Sequence, residues 1–211
     1  MTIILWTALS FLSGSLMFSY WLGLIARRNL RMVGDGNPGA LNLWRAAGFA
    51  YGLTGIALDF LKGWAPVFAF SAVQADPPGY GVILVALAPI AGHAFSPFLR
   101  GKGGKAIAVT FGVWSGLTGF AASLAYAIIL AALLATARWL VNKGKPTSSE
   151  ADAFQVVFGM LLLSVYLLGD GYSADVLWFW LANFLLLVYT HRRELRLFLK
   201  RVPAYRSKPK P

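Results

Sequence analysis

The feature that most limits what this chain can fold into is a set of long runs without Asp, Glu, Lys or Arg. Residues 1–26 and 77–99 are two of them, each longer than the roughly 18–20 apolar residues a helix needs to cross a bilayer. Water cannot solvate that much contiguous apolar surface, so lipid must. Composition agrees: 58% of side chains are hydrophobic and 13% charged, against about 25% charged in an average soluble domain. The formal net charge of +11 would suggest nucleic acid in a soluble protein. Here the basic residues lie in short segments between apolar runs, where they act as topological signals, and no nucleic-acid partner is expected. The chain has no cysteine, which excludes a disulfide framework and any cysteine-based metal or redox site. The first run has no basic leader and is too long for a signal-peptide core, so it reads as a retained span.

Uncharged runs place spans near 3–25, 49–74, 80–98, 104–118, 119–140, 153–169 and 174–190. The expectation is an all-α integral membrane protein of seven transmembrane helices in one membrane domain over 1–211, with a basic tail at 191–211. The run at 106–137 is 32 residues long, too long for one upright helix and short for two. Charge arbitrates. Splitting it at Ser115-Gly116-Leu117-Thr118-Gly119 puts 18 of the 19 basic residues on one face, whereas a single crossing sets eleven against seven. The positive-inside bias favours the split, an outer N-terminus and a cytoplasmic C-terminus. The remaining base, Lys62, follows Asp59 by three residues and shares a helix face with it. Such a pair marks either a functional site or an ion pair that locks two helices together. The tail at 191–210 alternates Arg or Lys with Leu and Phe and is expected to lie along anionic headgroups.

Two inner loops carry chemistry. The first, from Val33 through Gly34, Asp35, Gly36, Asn37, Pro38, Gly39 and Asn42 to Arg45, has three glycines that permit positive φ and flanking donors. It is either a tight turn or a nest of amides for an anion. The second places Arg100, Lys102 and Lys105 among Gly101, Gly103 and Gly104, just before a span. Amides at a helix start and two lysines there suit one phosphate. The spacing is not that of a Walker loop. His93 is one of two histidines, and its alternatives are an interfacial hydrogen-bonding group or a catalytic base. The third inner loop, 142–152, offers Thr147, Ser148 and Ser149 as hydroxyl donors.

These segments resemble a known family, the bacterial acyl-phosphate:glycerol-3-phosphate acyltransferases of the PlsY type. Gly34-Asp35-Gly36-Asn37-Pro38-Gly39-Ala40-Leu41-Asn42 with Arg45 is similar to the family's first motif, GSGNPGATN to Arg. Asp59-Phe60-Leu61-Lys62-Gly63 resembles its DxxKG, and Gly92-His93 to Pro97-Phe98 with Lys102-Gly103-Gly104-Lys105 resembles GH…PxF…KGGKG. Ser148-Ser149 fall where the family carries loop serines, and His191 where its final motif begins. The family is also seven-span with its N-terminus outside.

The resemblance implies a bacterial inner-membrane enzyme, its active loops on the cytoplasmic face, that moves an acyl group from acyl phosphate to the 1-hydroxyl of glycerol 3-phosphate. The product is lysophosphatidic acid for phospholipid synthesis. It implies catalytic roles for Asp35, Arg45, His93 and Lys105. It implies substrate binding by Gly36, Asn37, Gly39, Asn42, Lys102, Gly103, Gly104, Ser148 and Ser149. No cofactor, no metal site and no obligate protein partner are expected; the partners are the two substrates and membrane lipid. The chain departs from the pattern at Asp35 for serine, Leu41 for threonine, Ala106 for glycine and Glu194 for asparagine, and lacks the closing GTE-type sequence. A carboxylate beside a phosphate costs free energy unless it is protonated, paired with Arg45 or bridged by a cation. If Asp35 and Glu194 converge they also offer a place for Mg²⁺. The departures keep a second hypothesis in play, a non-catalytic or regulatory paralogue that binds a phosphorylated ligand. A small transporter fits less well, with only Asp59 and Lys62 charged at depth and no internal repeat.

Overall fold

A computed structural model describes residues 2–73, 79–141 and 143–206, and these are helices joined by turns. Helix α1 (Ile3–Ser15) starts on a cap in which Thr2 accepts from the Leu5 amide. Leu16 and Met17 are not helical, and α2 (Phe18–Ile25) then resumes. The apolar run at 3–25 is therefore a broken helix, with backbone carbonyls freed at the break. Side chains from distant parts of the chain take them: Ser96 Oγ donates to the Ser15 carbonyl at 2.7 Å and Lys62 Nζ to the Leu16 carbonyl. In hydrocarbon a broken helix is tolerated only with such substitutes.

The short α3 (Ala40–Ala47) leads into α4 (Phe49–Val73). Pro66 lies inside α4 and removes the amide that would bond the carbonyl of Lys62. Ser13 Oγ supplies the missing donor, 2.8 Å from that carbonyl. Asp59 and Lys62 are both buried and pair at 2.7 Å, as their spacing implies.

Helix α5 (Gly81–Ala94) is followed by a 3₁₀ turn at Pro97–Leu99 and by α6 (Ile107–Thr118). Helices α4 and α6 touch backbone to backbone. A Cβ at Gly112 would stand 2.0 Å from the Phe60 carbonyl oxygen, and one at Gly63 would stand 2.5 Å from that of Val109. Gly112→Ala should therefore force the crossing apart, costing at least the roughly 1–3 kcal/mol of an overpacked core. Thermal unfolding in detergent is expected to shift down accordingly, and an unchanged midpoint would mean the crossing is looser than described.

The 106–137 run turns back where charge suggested. Gly119 and Phe120 take left-handed φ of 54° and 71°, and α7 (Ala121–Thr136) runs antiparallel to α6. Ser115 bonds Ser123 at 2.8 Å and Phe111 stacks on Tyr126 at 5.0 Å. A π turn at Ala137–Val141 ends α7. Helix α8 (Ser149–Gly169) is capped by Ser148. Helix α9 (Ala174–Thr190) bends by 68° at His191 into α10 (Arg192–Arg206), which packs on α8 through Phe198 against Phe154, 4.7 Å apart.

Among the described residues, five stretches are long and apolar enough to cross a membrane: Ile3–Ile25, Phe49–Val73, Gly81–Leu99, Ala121–Leu140 and Ser149–Gly169. The bent α9–α10 pair makes a sixth if taken as one span. The protein is thus all-helical and multi-pass. Helix α6, expected as a span over 104–118, has only 12 residues, about 18 Å at 1.5 Å per residue. That is short of a hydrocarbon core of about 30 Å.

Candidate active site

The first glycine loop folds around Asp35. Gly34 and Gly36 adopt φ of 56° and 75°, which lets the chain turn back so that Asp35 Oδ1 accepts from the Asn37 amide at 3.1 Å. The same oxygen accepts from Asn42 Nδ2 at 2.8 Å, and Asn42 also donates to the Asn37 carbonyl at 3.0 Å. Asn42 is fully buried on α3 and ties the loop to the helix that Gly39 begins. Arg45 lies one turn further on, exposed, with its guanidinium 3.4 Å from Asn42 Oδ1. It steadies Asn42 and does not pair with Asp35.

The partner of Asp35 is Lys105. Its ammonium lies 2.6 Å from Asp35 Oδ2 and 3.3 Å from Glu194 Oε1, all three side chains being largely covered. The two acidic departures from the family pattern, Asp35 and Glu194, therefore do converge, and they converge on a lysine. Among the described residues no group of three or more His, Cys, Asp or Glu could hold a metal ion. Burial alone would raise the Asp35 carboxyl, but hydrogen bonding and charge from Lys105, with the Asn37 amide and Asn42, hold it below the usual carboxylate range. Asp35 is thus ionised at neutral pH.

The second loop approaches from α5. The Gly103 amide donates to the Ala94 carbonyl at 3.0 Å and the Gly104 amide to the His93 carbonyl at 3.1 Å, so these amides are spent on closing the end of α5. They are not the free phosphate donors the glycine pattern suggested. The glycines are needed for closeness instead: a Cβ at Gly103 would sit 1.8 Å from the His93 carbonyl oxygen, and one at Gly104 2.3 Å from His93 Nε2. Arg31 donates to the Lys102 carbonyl and ties this loop to the first.

Between the loops opens a cleft of about 350 Å³. Arg31, Lys102, Lys105 and Arg192 line it together with Asp35, Gly36, Asn37, Gly103, Gly104, Tyr189 and Thr190. Arg192 is held over the Tyr189 ring, 4.0 Å from its centroid. Four cations beside one lining carboxylate give the cleft a net positive charge of the kind that suits phosphate-sized anions. Behind Asp35, Asn37 and Lys105 lies a cavity of about 80 Å³ that Asn42, Ser149, Asp152 and His191 help to line. Ser149 is thus brought to the site, whereas Ser148 spends its hydroxyl on the Ala151 amide as the α8 cap. Buried His93 borders the glycine loop. Arg31 and Arg192 were hidden among the topological charges; the glycine loop beside Arg31 and the Tyr189 just before Arg192 were the only local cues.

Comparison with known proteins matches this geometry to a family. The model of the family described as glycerol-3-phosphate acyltransferase covers residues 4–201. The glycerol-3-phosphate acyltransferase 1 of Thermotoga maritima is 41% identical over 197 residues, 92% of this chain and 96% of that protein. The glycerol-3-phosphate acyltransferase of Maridesulfovibrio salexigens is 32% identical over 198 residues, 93% of each chain. Among solved structures, the glycerol 3-phosphate form of PlsY (YgiH), an integral membrane glycerol 3-phosphate acyltransferase, superposes with a TM-score of 0.79 at 26% identity. That match covers 94% of this chain and 92% of PlsY. The lysophosphatidic acid form gives 0.78 at 25% identity. With nearly its whole length matched in sequence and in fold, the chain belongs to the glycerol-3-phosphate acyltransferase family.

Proposed function

We propose that this chain transfers an acyl group from acyl phosphate to the 1-hydroxyl of glycerol 3-phosphate, forming lysophosphatidic acid for membrane phospholipid synthesis. The observation that carries this reading is the cleft in which Arg31, Lys102, Lys105 and Arg192 gather around Asp35, in a chain of that family. Both substrates bring a phosphate, and four cations suit two of them. The acyl tail enters from lipid, and the amphiphilic product returns to it.

In the reaction the glycerol hydroxyl oxygen bonds to the acyl carbon and the carbon–oxygen bond to phosphate breaks. The hydroxyl proton leaves through Asp35 or directly with the departing phosphate. Acyl phosphate is a mixed anhydride and already activated, so positioning and charge neutralisation supply much of the rate without a protein nucleophile. Lys105 and Lys102 neutralise phosphate, joined by Arg31 and Arg192. Asn37, Asn42, Gly36, Gly39 and Arg45 hold Asp35 in place, Gly103 and Gly104 let His93 approach, and Ser149 contributes from behind. The test is product formation by purified protein given glycerol 3-phosphate with either acyl phosphate or acyl-CoA. Product from acyl phosphate alone is expected; product from acyl-CoA alone would overturn the donor assignment.

The seven-crossing layout in one membrane domain, with the N-terminus outside and the site on the cytoplasmic face of a bacterial inner membrane, is part of the same proposal. The turn at Gly119 and the clustering of basic residues support it. Single cysteines at residues 37, 102, 148 and 200, on a background free of cysteine, should resist impermeant thiol reagents in intact cells. Labelling at 148 but not at 102 would mean that the α6–α7 hairpin crosses only once.

A further inference from the structure

Lys62 stands within a membrane span, and nothing in the transfer reaction as described employs it. Its ammonium has three neighbours. The Leu16 carbonyl accepts one proton, Asp59 Oδ1 lies 2.7 Å away and His93 Nδ1 2.8 Å away. Asp59 is fixed in turn, since its Oδ2 accepts from Ser19 Oγ at 2.6 Å. An ammonium has three protons to give and no lone pair to receive with, and a carbonyl and a carboxylate only accept. At 2.8 Å the ammonium can only donate to His93, whose Nδ1 must be the acceptor. A neutral imidazole with Nδ1 unprotonated carries its proton on Nε2. The imidazolium is excluded, because it would set an N–H and a second positive charge against Lys62.

Nε2 is the nitrogen that faces the glycine loop. It lies where a Cβ on Gly104 would be 2.3 Å from it, and the same point is 3.2 Å from Asn37 Oδ1. We infer that Lys62 locks His93 as its Nε2–H tautomer, so that His93 presents a hydrogen-bond donor to the glycine loop that borders the cleft. It is then not a base. The Ser19–Asp59–Lys62–His93 chain, running from α2 through α4 to α5, is a positioning network, and Lys62 acts through His93. The catalytic consequence rests on the acyltransferase reading; the tautomer rests on the geometry alone.

The chain has only two histidines, so ¹⁵N-histidine labelling gives two imidazoles, and His93→Gln assigns the signal of residue 93 by loss. At neutral pH the parent should show His93 with an unprotonated Nδ1 and a protonated Nε2. Lys62→Met, which removes the donor, should abolish that single-tautomer signature. A protonated Nδ1 in the parent would overturn the inference, whatever the variants do.

Kinetics test the consequence. Glutamine places an amide N–H close to where Nε2–H stands, so His93→Gln should lose less than about tenfold in kcat and His93→Ala clearly more. Removal of a general base costs roughly 10²–10⁴-fold, and glutamine cannot replace one. Equal losses of that size in both variants would make His93 a base and sink the donor role. Absence of product in the parent would strike the acyltransferase reading and leave the tautomer to the spectrum.

Discussion

Lys105→Ala is expected to lose about a hundredfold or more in glycerol 3-phosphate affinity and at least as much in the rate of lysophosphatidic acid formation. Lys105 holds two carboxylates, Asp35 at 2.6 Å and Glu194 at 3.3 Å, at the edge of the basic cleft proposed to take phosphate. Losing one charge-assisted bond to phosphate costs about 1.5–3 kcal/mol. The alanine also leaves two unscreened negative charges facing an anion, a like-charge penalty that adds to it. Binding measured by calorimetry separates the two terms. Adding Asp35→Asn and Glu194→Gln to Lys105→Ala should recover much of the loss, whereas the bond itself cannot be recovered. Glu194→Gln alone should tighten phosphate binding severalfold, since it frees part of the Lys105 charge. If Lys105→Ala binds glycerol 3-phosphate within threefold of the parent, the cleft holds its phosphate elsewhere.

The same lysine shows what the sequence could and could not reveal. The apolar runs and the Asp59–Lys62 pair were legible because lipid imposes simple rules on length, charge and spacing. So was the turn at Gly119, from charge balance alone. The break at Leu16–Met17 was not, since no proline marks it. What sustains it is Lys62, distant in sequence, reaching the Leu16 carbonyl. In the loops, residue types were informative and pairings were not. Asp35 invited Arg45, ten residues away, as its partner, but α3 carries Arg45 outward and the second loop delivers Lys105. Gly103 and Gly104 read as amide donors because glycine-rich loops often cradle phosphate. In the fold their amides cap α5, and their missing side chains make room for His93. Arg31 and Arg192 were indistinguishable from any other inner-face charge until the loops were brought together.

Asp35 is the residue at which support and chemistry separate. Its Oδ1 takes two hydrogen bonds that shape the first loop, from the Asn37 amide and Asn42 Nδ2, and its Oδ2 faces Lys105. Asp35→Ala leaves those buried donors without an acceptor and should cost more than about a hundredfold in product formation, from loop collapse alone. Asp35→Asn is the sharper variant, because its Oδ1 stays an acceptor toward Asn37 and Asn42 while the charge and the acceptor facing Lys105 are lost. If Asp35 merely braces the loop, Asp35→Asn should keep kcat within about tenfold and, with a negative charge gone, bind glycerol 3-phosphate more tightly. If it takes the proton of the attacking hydroxyl, kcat should fall by roughly 10²–10⁴-fold while that tighter binding persists. The pH profile gives a second readout. The folded carboxyl is held below its ordinary range, so a base at Asp35 is fully ionised at neutral pH. Activity should then stay flat as pH falls and drop only below the range in which an unperturbed carboxylate takes up its proton. Asp35→Ser, which restores the family's residue, should keep the loop hydrogen-bonded while removing the charge. Product from Asp35→Ser but none from the parent would mean that the carboxylate has silenced the site, and this chain would then be a binding scaffold of its family.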